Sequence, residues 1–221
     1  MTKTALHIDE IKKEKIIHYG IQRNISEMDG TAIDKAITCI LDFAEPRGLY
    51  EELPYDIPSH TFLGRQPFGV EGVQILPFLK QAEIIVAMTA TLGKKVDAAI
   101  DNLFLEQKFT EGMILDCTAA AALESLLNKL TEIIDITYSR DELKTAWRVC
   151  PGEGDFPLSQ QVSILTALDS TKIGITVSKS RMIEPRKTIT AFSGLRSLQK
   201  MCNGSCGGCS MSGHCGDEDD I

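Results

Sequence analysis

The sequence predicts a domain of mixed helices and strands, for three reasons. Residues 31–44 and 110–133 repeat apolar side chains at the three- and four-residue spacing of amphipathic helices. Residues 82–92 form a continuous apolar and β-branched run, which is typical of a central strand buried on both faces. Residues 187–192 alternate like a strand, and together with residues 173–177 they are expected to form an antiparallel hairpin.

Composition favours one large globular domain, which we expect to span residues 1–200 of the 221. Hydrophobic residues make up 43% and charged residues 24%, as in globular rather than disordered chains. The net charge is −8 and no basic stripe stands out, so nucleic acid is not an expected partner. There is no run of transmembrane length and no secretory signal, so we expect a cytoplasmic protein with no membrane association.

The first quarter of the chain contains one ambiguous segment and one clear helix. Residues 5–22 fit either a short helix or a strand. Thr31 is the expected N-cap of the 31–44 helix, and Pro46 ends that helix because the residue before a proline avoids the helical region. Short strands over residues 47–53 and 72–76 fit between the prolines and glycines that follow.

Two helices are predicted after the buried strand, over residues 94–107 and 110–133. Glu124 lies off the leucine stripe of the second helix, on the same face as Cys117, Ala120, Ala121 and Asn128. A carboxylate above this floor of alanines could meet an ammonium group. The alternative is a solvated helix face.

Residues 147–157 read W-R-V-C-P-G-E-G-D-F-P and contain the only tryptophan of the chain. The segment is too rich in Pro and Gly for a helix or a central strand, so we expect a loop with a fixed path. A helix over residues 158–168 is predicted to follow it. Arg148 makes the loop a candidate anion site, because guanidinium binds carboxylate or phosphate in a two-pronged geometry. A solvated arginine, or one paired with a nearby acid, is the alternative.

The composition changes near residue 201, and we expect residues 201–221 to form a separate tail with an acidic end. The tail is rich in Gly and Ser and spaces four thiols as C-x3-C-x2-C-x5-C, at Cys202, Cys206, Cys209 and Cys215. Four thiolates this close together can surround one metal centre, and the compact spacing favours an iron–sulfur cluster over zinc. A tail with free or disulfide-bonded cysteines is the alternative.

No self-sufficient catalytic constellation is found in the sequence. The nucleophile elbow, the phosphate-binding loop, the dinucleotide-binding glycine pattern and the zinc-protease motif are all missing. The four histidines are scattered along the chain and form no Ser/His/Asp set. Whether the protein is an enzyme stays open, and binding is better supported than bond-breaking.

The 147–157 segment and its sequel resemble the activation domain of vitamin B12-dependent methionine synthase. That domain carries R-x-x-x-G-Y followed by P, and later T-G-x-x-L-T-E-S with M-x-P. The matching residues here are Arg148, Gly152, Pro157, Gly174, Thr176, Ser180, Met182 and Pro185. The resemblance is recognisable over roughly residues 80–195. It is closest to short, stand-alone members, which carry the P-G-x-G-D-F-P-L pattern found here at residues 151–158.

The resemblance implies an α+β fold, with a twisted, largely antiparallel sheet flanked by helices. It implies that the chain binds S-adenosylmethionine and docks over a cobalamin domain. In that family, an electron donor such as flavodoxin or ferredoxin and S-adenosylmethionine together return inactive cob(II)alamin to methylcobalamin. The implied role is a stand-alone reactivation partner of a corrinoid-binding methyltransferase or methionine synthase core, with the cobalamin carried by that partner.

The same resemblance implies the residues of the binding site. Arg148 corresponds to the arginine that holds the methionine carboxylate, and Glu124 matches an acidic helix position near the site. The backbone expected near the ligand belongs to Pro151, Gly152 and Gly154.

Two departures from the family pattern lead to a second hypothesis. Glu153 stands where the family has a tyrosine, and the cysteine tail replaces a later tyrosine pair. The second hypothesis is an iron–sulfur redox or adaptor protein that acts on a corrinoid protein without binding S-adenosylmethionine.

Overall fold

A computed structural model describes residues 2–25 and 28–197 of the chain. The helices are α1 (Lys13–Gln22), α2 (Gly30–Phe43), α3 (Leu76–Gln81), α4 (Lys94–Leu105), α5 (Phe109–Tyr138) and α6 (Gln160–Ala167). The strands are β1 (Thr2–Ala5), β2 (Arg47–Glu52), β3 (Tyr55–Asp56), β4 (Thr61–Phe62), β5 (Phe68–Gly69), β6 (Ile84–Thr91), β7 (Leu143–Val149), β8 (Thr176–Val177), β9 (Ile183–Glu184) and β10 (Thr188–Ser197).

The main sheet has five strands in the order β1-β2-β6-β10-β7, and every neighbouring pair is antiparallel. The predicted central strand is confirmed as β6, which lies between β2 and β10 with seven of its eight residues buried. Its two buried hydroxyls are satisfied within the sheet region, because Thr89 Oγ1 donates to the Ile189 carbonyl and Thr91 Oγ1 to the Lys187 carbonyl.

Helices cover both faces of the sheet. On one face α1, α2, α4 and α5 enclose a core that includes Ile16, Ile40 and Leu126. On the other face α3, α6 and the small strands β3 to β5 enclose a second core around Phe62 and Phe192. The predicted α+β class, with an antiparallel sheet flanked by helices, is therefore confirmed.

The predicted helices are present with shifted ends. The helix predicted over 110–133 is α5, which continues to Tyr138 and is about 45 Å long at 1.5 Å per residue. The prediction for Thr31 is wrong, because α2 begins at Gly30 and Asp29 occupies the N-cap position. The ambiguous 5–22 segment contains α1.

The expected loop over 147–157 is wrong at its start, since Trp147 and Arg148 belong to β7. Among the described residues this strand lies at the edge of the sheet and pairs only with β10, where Trp147 is opposite Gly194. An edge strand has no second strand to pack beside it, so it tolerates polar residues that hide its pattern.

The predicted 173–177 and 187–192 hairpin is also wrong. Residues 170–173 form a 3-10 turn that ends at Gly174 in the left-handed region, with φ of 79°. The short β8 pairs with β9 instead. The apolar strand β10 inserts between β6 and β7, where both of its faces are covered.

The predicted strand over 72–76 is not observed. Gly72 has φ of 102°, which turns the chain, and α3 begins at Leu76. The carboxylate of Asp155 accepts the backbone N–H groups of Val73 and Gln74, so the turn is tied to the segment after β7.

In residues 2–25 and 28–197, no helix is long and apolar enough to cross a membrane.

Candidate binding site between α5 and β7

Arg148 lies on β7 and points towards α5. Its Nη1 donates to Thr131 Oγ1 of α5 at 3.1 Å. The neighbouring Trp147 faces the opposite side of the sheet, where its indole meets the ring of Phe78 in α3, with centroids 6.0 Å apart. The alternation of a strand therefore separates the anchoring indole from the half-buried guanidinium, which faces the helix layer.

Two cavities meet at Arg148 and Glu124. The first has a volume of about 670 Å³ and is lined by residues of α1, α5 and the segment before α1, among them Lys12, Lys15, Ala121 and Ser125. The second has a volume of about 600 Å³ and follows β7, with Thr131, Thr145, Trp147 and Glu153 in its lining. Arg148 and Glu124 line both cavities. The two residues singled out from the sequence thus lie on one continuous concave surface.

Glu124 is held by two side chains from α1. The Lys15 ammonium donates to Glu124 Oε1 at 2.8 Å, and the Tyr19 hydroxyl donates to Glu124 Oε2 at 3.2 Å. Of the two alternatives left open by the sequence, an ammonium contact or a solvated helix face, the structure has the contact, and the ammonium is that of Lys15. Burial and the adjacent Glu124 charge raise the pKa of Tyr19 to about 12, so its hydroxyl stays a donor at neutral pH.

Residues 150–157 have the fixed path expected of them. The N–H of Gly152 donates to the Phe156 carbonyl at 2.7 Å, and that of Phe156 donates to the Glu153 carbonyl at 3.0 Å. Phe156 is buried in the second core, which anchors the far end of the loop. Gly152 and Gly154 have φ of 102° and 57°, a region that glycine enters without strain.

The loop presents the carboxylate of Glu153 to the cavity beside β7. Glu153 Oε2 accepts the backbone N–H of Cys150 at 3.0 Å, which fixes the side chain on the cavity that Arg148 also lines. Burial, followed by the charge of Glu153, raises the pKa of the Cys150 thiol to about 12. Cys150 is therefore an inert thiol beside the site.

The charges on this surface are only partly matched. Within the described part of the chain, neither Arg148 nor Glu153 forms an ion pair, and Thr131 is the only side chain that accepts a hydrogen bond from Arg148. A guanidinium has five N–H donors, so most of its capacity faces the cavity. A cavity with a free guanidinium and two carboxylates is complementary to a ligand that carries both an anionic and a cationic group.

The other predicted site residues are placed differently. Among the described residues, Pro151, Gly152 and Gly154 line neither cavity, although they form the turn that carries Glu153. Their backbone contact with a ligand stays a prediction. The predicted metal ligands Cys202, Cys206, Cys209 and Cys215 lie outside the described residues. Within residues 2–25 and 28–197, no group of His, Cys, Asp and Glu is arranged to hold a metal.

Three residues of the site were not predicted: Lys15, Tyr19 and Thr131. The sequence indicates which of them share a helix face, but not which element that face contacts. Thr131 follows Glu124 by seven residues, so both lie on one face of α5. Lys15 and Tyr19 are four residues apart and share one face of α1 in the same way.

Sequence comparison finds no match to this chain among protein-family models or curated proteins. Among solved structures, the chain is similar to one described as the crystal structure of the MetH reactivation domain bound to AdoHcy. The TM-score is 0.62, the identity is 14%, and the match covers 87% of this chain and 77% of that chain. The resemblance that the motifs predicted is thereby confirmed at the level of architecture, and this chain has the fold of the MetH reactivation domain.

Proposed function

We propose that the chain binds S-adenosylmethionine in the cavity between α5 and β7. The observation that carries this proposal is the guanidinium of Arg148, which opens onto the two cavities with Thr131 as its only side-chain acceptor in the described chain. A structure with the same fold was solved with bound AdoHcy, which has the same amino-acid end as S-adenosylmethionine.

The residues present fit the ligand's amino-acid end. Arg148 would hold the carboxylate through two parallel hydrogen bonds, which is the geometry that guanidinium prefers. Glu124 would receive the ammonium, because it lines the same two cavities as Arg148 and already binds one ammonium, that of Lys15. The ligand's amino-acid end would thus bridge α5 and β7.

Isothermal titration tests this proposal directly. We expect wild-type protein to bind S-adenosylmethionine, and Arg148→Ala to weaken binding by more than about tenfold, since a hydrogen-bonded charge pair is lost. Arg65→Ala is the matched control, because Arg65 is exposed and lines neither cavity. The proposal is rejected if the wild type gives no heat at millimolar ligand, or if both arginine variants bind equally well.

We further propose that the chain acts as a reactivation partner of a corrinoid-binding methyltransferase or methionine synthase core. The bound S-adenosylmethionine would supply a methyl group to the reduced corrinoid of that partner. The fold similarity and the charged cavity support this role. An anaerobic spectrum tests it with a cobalamin-loaded methionine synthase core that lacks its own reactivation domain, and titanium(III) citrate as electron donor. Methylcobalamin should form only when both this chain and S-adenosylmethionine are present.

For residues 201–221 we propose a metal centre held by Cys202, Cys206, Cys209 and Cys215, with iron–sulfur favoured over zinc by the compact spacing. A cluster there would give the chain its own one-electron carrier, as the adaptor hypothesis requires. Anaerobically purified protein should then contain iron and absorb visible light, and Cys206→Ser should lose both. A colourless and metal-free protein after cluster reconstitution would reject the centre.

A further inference from the structure

We propose that Glu153 determines ligand specificity, by favouring the positively charged sulfonium of S-adenosylmethionine over the neutral thioether of S-adenosylhomocysteine. This inference rests on the proposed function, because it assumes that both compounds enter the cavity beside β7. The activation-domain family that the chain resembles has a neutral tyrosine at the position of Glu153.

Glu153 is held in place by two backbone hydrogen bonds. Its Oε2 accepts the Cys150 N–H at 3.0 Å, and its own N–H donates to the Cys150 carbonyl at 3.1 Å. These two bonds tie the residue to the end of β7. Neither of these backbone bonds uses the second carboxylate oxygen of Glu153, and the side chain lines the cavity together with Arg148.

The charges along the surface are unevenly matched. Glu124 already contacts Lys15 and Tyr19, whereas Glu153 has no cationic partner among the described residues. The ionisable groups that line the cavity beside β7 are Glu124, Arg148 and Glu153, which carry two negative charges and one positive charge. Lys15 offsets the charge of Glu124, and a ligand carboxylate would offset that of Arg148. Glu153 therefore remains as the unmatched negative charge and favours a positively charged group in the ligand.

The order of groups in the ligand also favours Glu153 as the partner of the sulfonium. Its carboxylate and ammonium are attached to the same carbon, so they must bind close together. Arg148 and Glu124 are suited to this pair because they line both cavities, whereas Glu153 lines only the one beside β7. The remaining carboxylate is then available to the next charged group along the ligand, which is the sulfonium.

Demethylation removes this charge while leaving the rest of the ligand unchanged. A carboxylate distinguishes the two forms by their charge, whereas a neutral phenol interacts similarly with both. The chain would thereby release the demethylated product more readily than it releases S-adenosylmethionine. Because Glu153 is exposed, we expect a moderate preference, about three- to fivefold in dissociation constant.

The test is isothermal titration of S-adenosylmethionine and S-adenosylhomocysteine against wild type, Glu153→Gln, Arg148→Ala and Glu142→Gln. Wild type should prefer S-adenosylmethionine about three- to fivefold at low salt, and less in 0.5 M salt because exposed charges are screened. Glu153→Gln should lose the preference without weakening S-adenosylhomocysteine, since its amide oxygen can still accept the Cys150 N–H. Glu142→Gln is the control, because Glu142 is exposed and lines neither of the two cavities.

The possible results distinguish a failure of the role of Glu153 from a failure of the proposed function. If neither compound binds wild type, the proposed function fails. If both bind and Arg148→Ala weakens both, but wild type shows no preference, the function stands and the role of Glu153 is refuted. Equal weakening of both compounds by Glu153→Gln also refutes it, because Glu153 would then hold the ammonium instead.

Discussion

The Lys15 ammonium lies 2.8 Å from Glu124 Oε1, on the surface that Glu124 shares with Arg148. In the proposed complex this is the place of the ligand's own ammonium, so Lys15 competes with the ligand for Glu124. We expect Lys15→Met to strengthen S-adenosylmethionine binding by about two- to fivefold, the range of an exposed ion pair. Isothermal titration measures the change.

The matched control is Lys13→Met. Lys13 belongs to the same helix, pairs with Asp34 at 2.5 Å and lines neither cavity, so its removal should leave the dissociation constant unchanged. Weaker binding by Lys15→Met would contradict the competition. It would mean that Lys15 orients Glu124 for the ligand.

The parts of the fold that the sequence predicted are those in which one pattern dominates. The strand β6 could be recognised because both of its faces are buried, so nearly every residue is apolar. The assignment of Trp147 and Arg148 failed because β7 is an edge strand that alternates between a core on one side and a charged cavity on the other. The residue composition of β7 reflects these two different environments, so it does not identify the segment as a strand.

The candidate site was predictable only in part, for a related reason. Arg148 and Glu124 were identified from a motif and a helix face, and the fold brings them to one surface. Their partners Lys15 and Tyr19 come from α1, more than a hundred residues from Glu124 in the chain. Such a contact depends on how α1 packs against α5, and no pattern within either helix encodes it.

Gly194 gives a direct test of how β7 is anchored. A Cβ at this position would overlap the indole of Trp147, which lies across the glycine on the neighbouring strand. We expect Gly194→Ala to lower the free energy of unfolding by about 1–3 kcal/mol, because the indole or the strand must shift. Urea denaturation, followed by fluorescence of the only tryptophan, measures this change.

Gly30→Ala provides the comparison for that variant. Gly30 is in the first turn of α2, and an added Cβ there meets no atom within 4 Å. Alanine has the higher helix propensity, so this variant should be as stable as wild type or slightly more stable. If Gly194→Ala were as stable as Gly30→Ala, the position of the Trp147 indole would not require a glycine at residue 194.

Stability should fall in alkaline solution, and Cys150 should contribute to the fall. Burial first, and then the Glu153 charge, raises the pKa of this thiol from 9.0 to about 12 in the folded chain. Between pH 9 and pH 12 the unfolded state therefore loses the proton while the folded state keeps it. The contribution of Cys150 is complete below pH 9 and is lost as the pH rises towards 12.

Cys150→Ala should consequently flatten the pH dependence of the free energy of unfolding above pH 9. Between pH 9 and pH 11, the free energy of unfolding should fall by on the order of 1 kcal/mol less in Cys150→Ala than in wild type. Tyr19 and Tyr138, whose pKa values burial also raises to about 12, remain in both proteins, so some decline persists in the variant. Urea titrations at a series of pH values compare the two slopes. Equal slopes would mean that the Cys150 thiol ionises as readily in the folded chain as in the unfolded one.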